Sequence, residues 1–285
     1  MRSSFVLFAL IAGGCSHPGD ENLGLSTRVA SYAIDVAQLT RPAELERAVS
    51  LPGREVDKKL GAHRLEATST LKIEPPGKPA ETLEESYRLD SDGKGALHLV
   101  HENTRGGGTE AVVTGGELYV KARFGKFVRR RPEGDELDRL RATVEGVAGD
   151  YLQVLERWLQ VKEEGHLQVA GRAGVRLKLS ATASPASGPR ESDPGKAWRD
   201  SVAVRYVDGE LILDAASGAL LAARLEASYT FEREGVKGPF SVTVSYKQTA
   251  AASEADAFGA PAEAVASPHR VRPMLDRQEL LEGLK

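Results

Sequence analysis

Apolar residues recur at every second position in two long runs toward the C-terminal end. Leu221, Ala223, Leu225, Ala227, Tyr229 and Phe231 alternate with a mainly polar set that includes Arg224, Glu226, Ser228 and Thr230. Phe240, Val242, Val244 and Tyr246 alternate with Ser241, Thr243, Ser245 and Lys247. A period of two puts successive side chains on opposite faces of an extended chain, so each run predicts a strand with one apolar face. The same alternation appears at Leu65, Ala67, Leu71 and Ile73, at Leu83, Tyr87 and Leu89, and at Val175, Leu177 and Leu179. Further strands are expected near 97–101, 110–114, 117–123, 126–131, 166–170 and 202–213. Asp-Gly at 92–93 and 208–209, Gly-Gly at 115–116 and Ala-Ser-Gly at 216–218 read as tight hairpin turns. Connections this short dictate an antiparallel meander, because parallel pairing needs long crossovers.

Helical spacing is confined to two places. Val29, Tyr32, Ala33 and Val36, then Leu45 and Val49, predict helices over 28–39 and 42–50. Leu137, Leu140, Val144, Val147, Tyr151, Leu152, Leu155, Trp158 and Leu159 predict helix over 135–163, broken near Gly146 and Gly149. The expected fold class is therefore α+β and β-rich: a curved antiparallel sheet, an unclosed half-barrel, with about three covering helices. About ten one-sided strands must hide their apolar faces under that cover. With 7 Phe, 7 Tyr and 2 Trp, bulky filler is scarce. Either an apolar hollow persists under the sheet or the helices close it into a solid core.

Composition and motifs exclude several classes. One cysteine removes disulfide scaffolds and multi-cysteine metal sites. A net charge of −3 argues against a general nucleic-acid binder. His98 and His101 lie three apart in an expected strand, hence on opposite faces, and cannot share a metal. Asp90-Ser-Asp92-Gly93 has Lys94 where a calcium loop needs a further oxygen ligand, and reads as a turn. Gly106-Gly-Gly-Thr-Glu-Ala111 leads into a strand instead of the helix that a phosphate cradle requires. The acidic pairs Glu84-Glu85 and Glu163-Glu164 read as solvated. No catalytic motif is found, so no enzyme activity, metal or cofactor is expected.

The chain begins MRSSFVLFALIAGGCS. Arg2, the eight-residue apolar run Phe5–Ala12 and the small residues before Cys15 read as a secretory signal over 1–14. The run is too short to span about 30 Å of hydrocarbon. The small residues leading into Cys15 resemble the lipobox of bacterial lipoproteins, with Ala12 where that family usually has Leu. The resemblance implies acylation of Cys15, by palmitate or a similar chain. With Ser16 following the cysteine, it implies the periplasmic face of the outer membrane. Residues 15–27 read as a lipidated tether, 28–248 as the main domain and 249–267 as an Ala-rich linker. Over 268–285, Asp276 with Glu279 forms a capping box and Leu275 with Leu280 a hydrophobic staple. Leu280, Leu281 and Leu284 then form the apolar face of a short helix, suited to docking on a protein partner or on the domain itself.

The closing hairpin VDGELILDAASGALLAARLEASYTF (207–231), the following FSVTVSYKQ (240–248) and the segment GGELYVKARFGKFVRR (115–130) resemble the superfamily of bacterial lipoprotein carriers that includes LolA, LolB, LppX and LprG. The likeness covers residues 28–248 and lies in architecture and hairpin style. It implies an unclosed barrel with a helical lid over a cavity for acyl chains. The loop 182–197 and the chain beyond 249 depart from the family pattern.

The expected function is an envelope lipoprotein that binds or carries a lipid or an acylated protein. Leu221, Leu225, Tyr229, Phe231, Val242, Val244 and Tyr246 would line the inner face, with Leu152, Leu155 and Trp158 covering it. The basic residues Arg123, Lys126, Arg129, Arg130 and Arg131 would meet headgroups at a membrane or cavity mouth, or else guard an exposed strand edge. The alternative function is a structural or assembly lipoprotein with a filled core, acting through protein contacts.

Overall fold

A computed structural model describes residues 33–188, 191, 194–253 and 258–266. The signal segment, Cys15, the tether and the tail 268–285 lie outside the described residues. The chain begins with a 3-10 turn at Val36–Gln38, then α1 (Pro42–Val49) and α2 (Gly53–Leu60). Six strands follow: β1 (His63–Glu74), β2 (Glu81–Ser91), β3 (Leu97–Asn103), β4 (Gly108–Thr114), β5 (Glu117–Ala122) and β6 (Val128–Arg130). Next come α3 (Glu136–Glu145) and α4 (Val147–Leu155), then β7 (Leu159–Val169) and β8 (Arg172–Ala181). A 3-10 segment at Pro194–Ser201 precedes β9 (Ala203–Asp214), β10 (Leu220–Phe231), β11 (Phe240–Ala252) and the two-residue β12 (Val265–Ala266).

The strands form one curved sheet in the order β12-β6-β5-β4-β3-β2-β1-β11-β10-β9-β8-β7. Its two edges, β12 and β7, do not pair, so the sheet stays unclosed. Every pairing is antiparallel except β12 with β6. β11 returns beside β1 in continuous register, from His63 opposite Ala252 to Glu74 opposite Ser241. This pairing joins the early meander to the late one. The α+β half-barrel read from alternation is the fold observed.

Particular elements differ from expectation. β11 runs on to Ala252, past the expected domain end at 248, because Thr249–Ala252 pair with the first residues of β1. Within the expected linker, Val265 and Ala266 pair with Val128 and Arg129 of β6. The predicted helix over 135–163 ends at Leu155, a 3-10 turn covers Glu156–Trp158, and Leu159 begins a strand. Of the helix expected over 28–39, the described part forms only the 3-10 turn. Helix α2 was not expected, since GREVDKKL is polar throughout except Val56 and Leu60.

Asp208-Gly209, read as a turn, lies inside β9. Gly209 faces inward, and a Cβ there would sit 3.0 Å from Leu179 and 3.2 Å from Leu225, so the glycine makes room for neighbouring strands. Asp92-Gly93 is the turn expected. The Asp92 carboxylate accepts the amides of Lys94 and Ala96 at 2.7 and 2.9 Å. Gly93 has φ +72 and packs on the Gly61 backbone, where a Cβ would come within 2.6 Å.

Candidate ligand-binding face

The inner face carries the side chains that alternation assigns to it. Leu221, Leu225, Tyr229, Phe231, Val242, Val244 and Tyr246, with Leu152 and Leu155 of α4, are each 4% exposed or less. All but Leu221 belong to one continuous apolar core, together with α1, α3 and the inner residues of β1 and β8. Trp158 is only half-buried. It sits at the margin of the cover and donates its indole N–H to the Val202 carbonyl at 3.0 Å.

Among the described residues, the predicted lining side chains are buried against one another and against the helices. An element absent from the count of faces adds to the cover: the 3-10 segment Pro194–Ser201, whose Trp198 packs on Phe231 with ring centroids 4.8 Å apart. Phe231 in turn stacks on Phe240 at 4.9 Å. Among the described cavities, a small one of about 150 Å³ lies at the end of the sheet where β1 starts, bordered by Leu60, His63, Arg172, Leu221 and Ala250–Ala252. Leu221 is the one predicted lining residue that borders a described cavity.

At the centre of the helix–sheet layer lies a polar seam. Tyr151 of α4 reaches Ser69 of β1 with an oxygen–oxygen distance of 2.5 Å. Its ring meets that of Tyr246 at 5.7 Å, and the Tyr246 hydroxyl donates to Gln248 at 2.5 Å. Ser69 and Tyr246 are direct cross-strand partners. Burial pushes the Tyr229 hydroxyl above its ordinary value, and the nearby Tyr151 adds to the shift. Three tyrosines from α4, β10 and β11 therefore place hydroxyls inside an apolar layer. Ser69 and Gln248 were legible in principle, for they occupy inward positions in the runs Leu65–Ile73 and Val242–Ala250.

The other half of the sheet is pinned by charge. Arg141 of α3 donates to both carboxylate oxygens of Asp57 in α2, at 2.5 and 2.9 Å, and to Glu145 at 3.0 and 2.6 Å. Ser91 of β2 donates to Asp57 at 2.7 Å. Burial opposes the charge on Asp57, but the bonds from Arg141 and Ser91 prevail and hold its carboxyl below the usual aspartate range. Burial likewise opposes the charge on Arg141, and the two carboxylates outweigh it.

Arg130, expected at a headgroup surface, is instead buried. It forms a two-pronged pair with Glu136 at 2.5 Å per bond, because its parity on β6 turns it inward under α3. Glu85, read as solvated with Glu84, is buried too. It also has inward parity and pairs with His101 at 3.0 Å, and His101 stacks on Tyr87 with centroids 4.8 Å apart. His98 faces the opposite side, toward Glu110 at 2.9 Å. Arg123, Lys126, Arg129 and Arg131 stay on the surface, around the turn between β5 and β6. Among the described residues no three His, Cys, Asp or Glu side chains converge as a metal site would require.

No family model and no curated protein matches the chain. Solved structures similar to it include a LolA superfamily protein from Nitrosomonas europaea, at 10% identity over 74% of this chain and 94% of that one, with a TM-score of 0.24. LprF from Mycobacterium bovis matches at 13% identity over 72% and 91%, with a TM-score of 0.22. The lipoprotein LppX from Mycobacterium tuberculosis matches at 12% identity over 70% and 92%, with a TM-score of 0.21.

Proposed function

We propose that this protein is a bacterial envelope lipoprotein that takes an acyl chain, from a lipid or an acylated protein, between the inner sheet face and α4. The side-chain-filled arrangement is then its closed, empty form. The observation that carries this reading is the asymmetry of the cover. Helix α3 is tied to β6 by the buried Arg130–Glu136 pair, and α2 to α3 by Asp57–Arg141 and to β2 by the Ser91–Asp57 bond, whereas α4 lies on β1, β10 and β11 through apolar contact and the Ser69–Tyr151 bond. Apolar contact is non-directional, so a hydrocarbon chain can replace side chains there at little cost. A buried ion pair cannot be replaced in that way. Leu225, Tyr229, Val242, Val244 and Tyr246 would then face the guest from the sheet, and Leu152, Leu155 and Trp158 from the cover. The seam hydroxyls would receive its polar end. Acylation at Cys15 would hold the protein at the outer membrane.

One observation favours a second reading, a structural lipoprotein that acts through protein contacts: the inner side chains are already sealed from solvent. Organic extraction of the full chain isolated from a bacterial envelope, followed by mass spectrometry, separates the two. Stoichiometric acyl lipid is expected under the first reading. A clean extract, with no response of the protein to added fatty acid, would leave the second.

A further inference from the structure

The turn Arg123–Phe127 between β5 and β6 presents Phe124 at 84% exposure, the highest of any large apolar residue described. From Leu118 to Pro132 the chain has six basic residues and no acidic one. Lys121 lies over the Phe127 ring at 4.7 Å, and Arg130 is withdrawn into its pair with Glu136. Arg123 and Lys126 flank Phe124 in the turn and Arg129 follows on β6, while Arg131 lies at the far end of the hairpin beside Glu117. Carboxylates reach part of this set: Glu110 stands 2.8 Å from Lys121, Glu102 3.6 Å from Arg123 and Glu117 3.9 Å from Arg131. Lys126 and Arg129 have no carboxylate within ion-pair distance among the described residues, so the turn carries a local positive charge in a chain whose net charge is −3.

The exposure of Phe124 is built into the fold. The Arg123 amide donates to the Gly108 carbonyl at 3.0 Å, its guanidinium to the Asn103 carbonyl at 2.8 Å, and the Gly125 amide to Ala122 at 2.8 Å. These bonds fasten the turn to the neighbouring β3–β4 turn. The alternative role of the cations, guarding a bare strand edge, has lost its edge. β12 covers β6, with the Val265 amide donating to the Phe127 carbonyl at 2.8 Å. Val265, 54% exposed, adds a second apolar side chain beside the turn.

We propose that this turn is a membrane-docking tip: Phe124 enters the headgroup–acyl boundary of an anionic lipid surface, while Arg123, Lys126 and Arg129 meet the headgroup phosphates. An exposed aromatic ring flanked by cations suits that boundary, where apolar insertion and attraction to anionic lipid act together. The inference rests on surface geometry and charge. It is independent of the acyl-binding reading, and either can fail without the other.

The test uses the full chain with Cys15→Ser and Phe124→Cys, the new thiol carrying the environment-sensitive fluorophore NBD. Vesicles of phosphatidylglycerol with phosphatidylcholine should shift its emission to the blue, reversibly with salt, and pure phosphatidylcholine vesicles should not. In flotation of the full chain, Phe124→Ser should lower partitioning about tenfold. Lys126→Ala and Arg129→Ala should each lower it about fivefold. Lys162→Ala, on the opposite edge strand, should leave it unchanged. All four variants are at exposed positions and should keep the parent's thermal midpoint. Flotation through the N-terminal apolar run, with unchanged emission at position 124, would overturn the proposal. So would equal partitioning into both vesicle types, or silence with both, the result expected if the tip serves a protein partner.

Discussion

The two wings of the sheet are built differently although they share one inner face. Around β1, β10 and β11 the inward residues are almost all aliphatic or aromatic, and α4 rests on them. Around β2, β3 and β4 the inward positions also hold Glu85, His101, Asn103 and Thr109. The helices over that side are joined to each other by Arg141–Asp57 and to the strands by Ser91–Asp57 and Arg130–Glu136. Ion pairs of this kind are directional, so they hold α2 in register with α3 and α3 in register with β6. On the apolar wing α4 rests on the sheet chiefly through apolar contact. On the proposed reading, the charged wing is the fixed side and the aliphatic wing the side that opens.

The largest expected effect comes from breaking the fixed side. Arg141→Ala leaves Asp57 and Glu145 buried without their cation and should cost about 3–5 kcal/mol in urea unfolding. Hydrogen exchange should show lost protection in α2 and α3 before α4. On the opening side, Leu155→Ala removes core volume and should cost about 3 kcal/mol. It should also raise uptake of a fluorescent fatty acid, because the cover is loosened where the guest enters. Tyr151→Phe deletes the seam bond and should cost about 1 kcal/mol, with a smaller gain in uptake. Equal uptake by Arg141→Ala and Leu155→Ala would erase the distinction between the wings.

The smallest effect is on pH. Asp57 titrates below the ordinary aspartate value of 3.8 in the folded protein. Its contribution is therefore complete above that pH and lost as pH falls through the folded value. Asp57→Asn should flatten the acid limb of stability measured by thermal unfolding, while Tyr151→Phe should leave its slope unchanged.

The strands were readable because burial on one face writes itself as alternation, and the same parity marks Ser69, Glu85 and Gln248 as inward polar residues. Reading Glu84-Glu85 as a pair hid that parity. The pinned wing was not readable. Asp57 and Arg141 lie 84 residues apart, and α2 owes its place to that contact more than to apolar periodicity. Trp198 was hidden for another reason: its segment follows a Pro- and Ser-rich loop with no helical pattern. Counting strand faces against helix faces thus underestimated the cover, since Trp198 adds to it.

The most direct measurement is photolabelling of the full chain with a diazirine-bearing palmitic acid, followed by peptide mapping. Adducts on α4 around Leu152 and Leu155, and on Tyr229, Val244 or Tyr246, are expected if the aliphatic wing opens to a hydrocarbon guest. Labelling restricted to outer-face residues, or none above background, would contradict it and leave a sealed core.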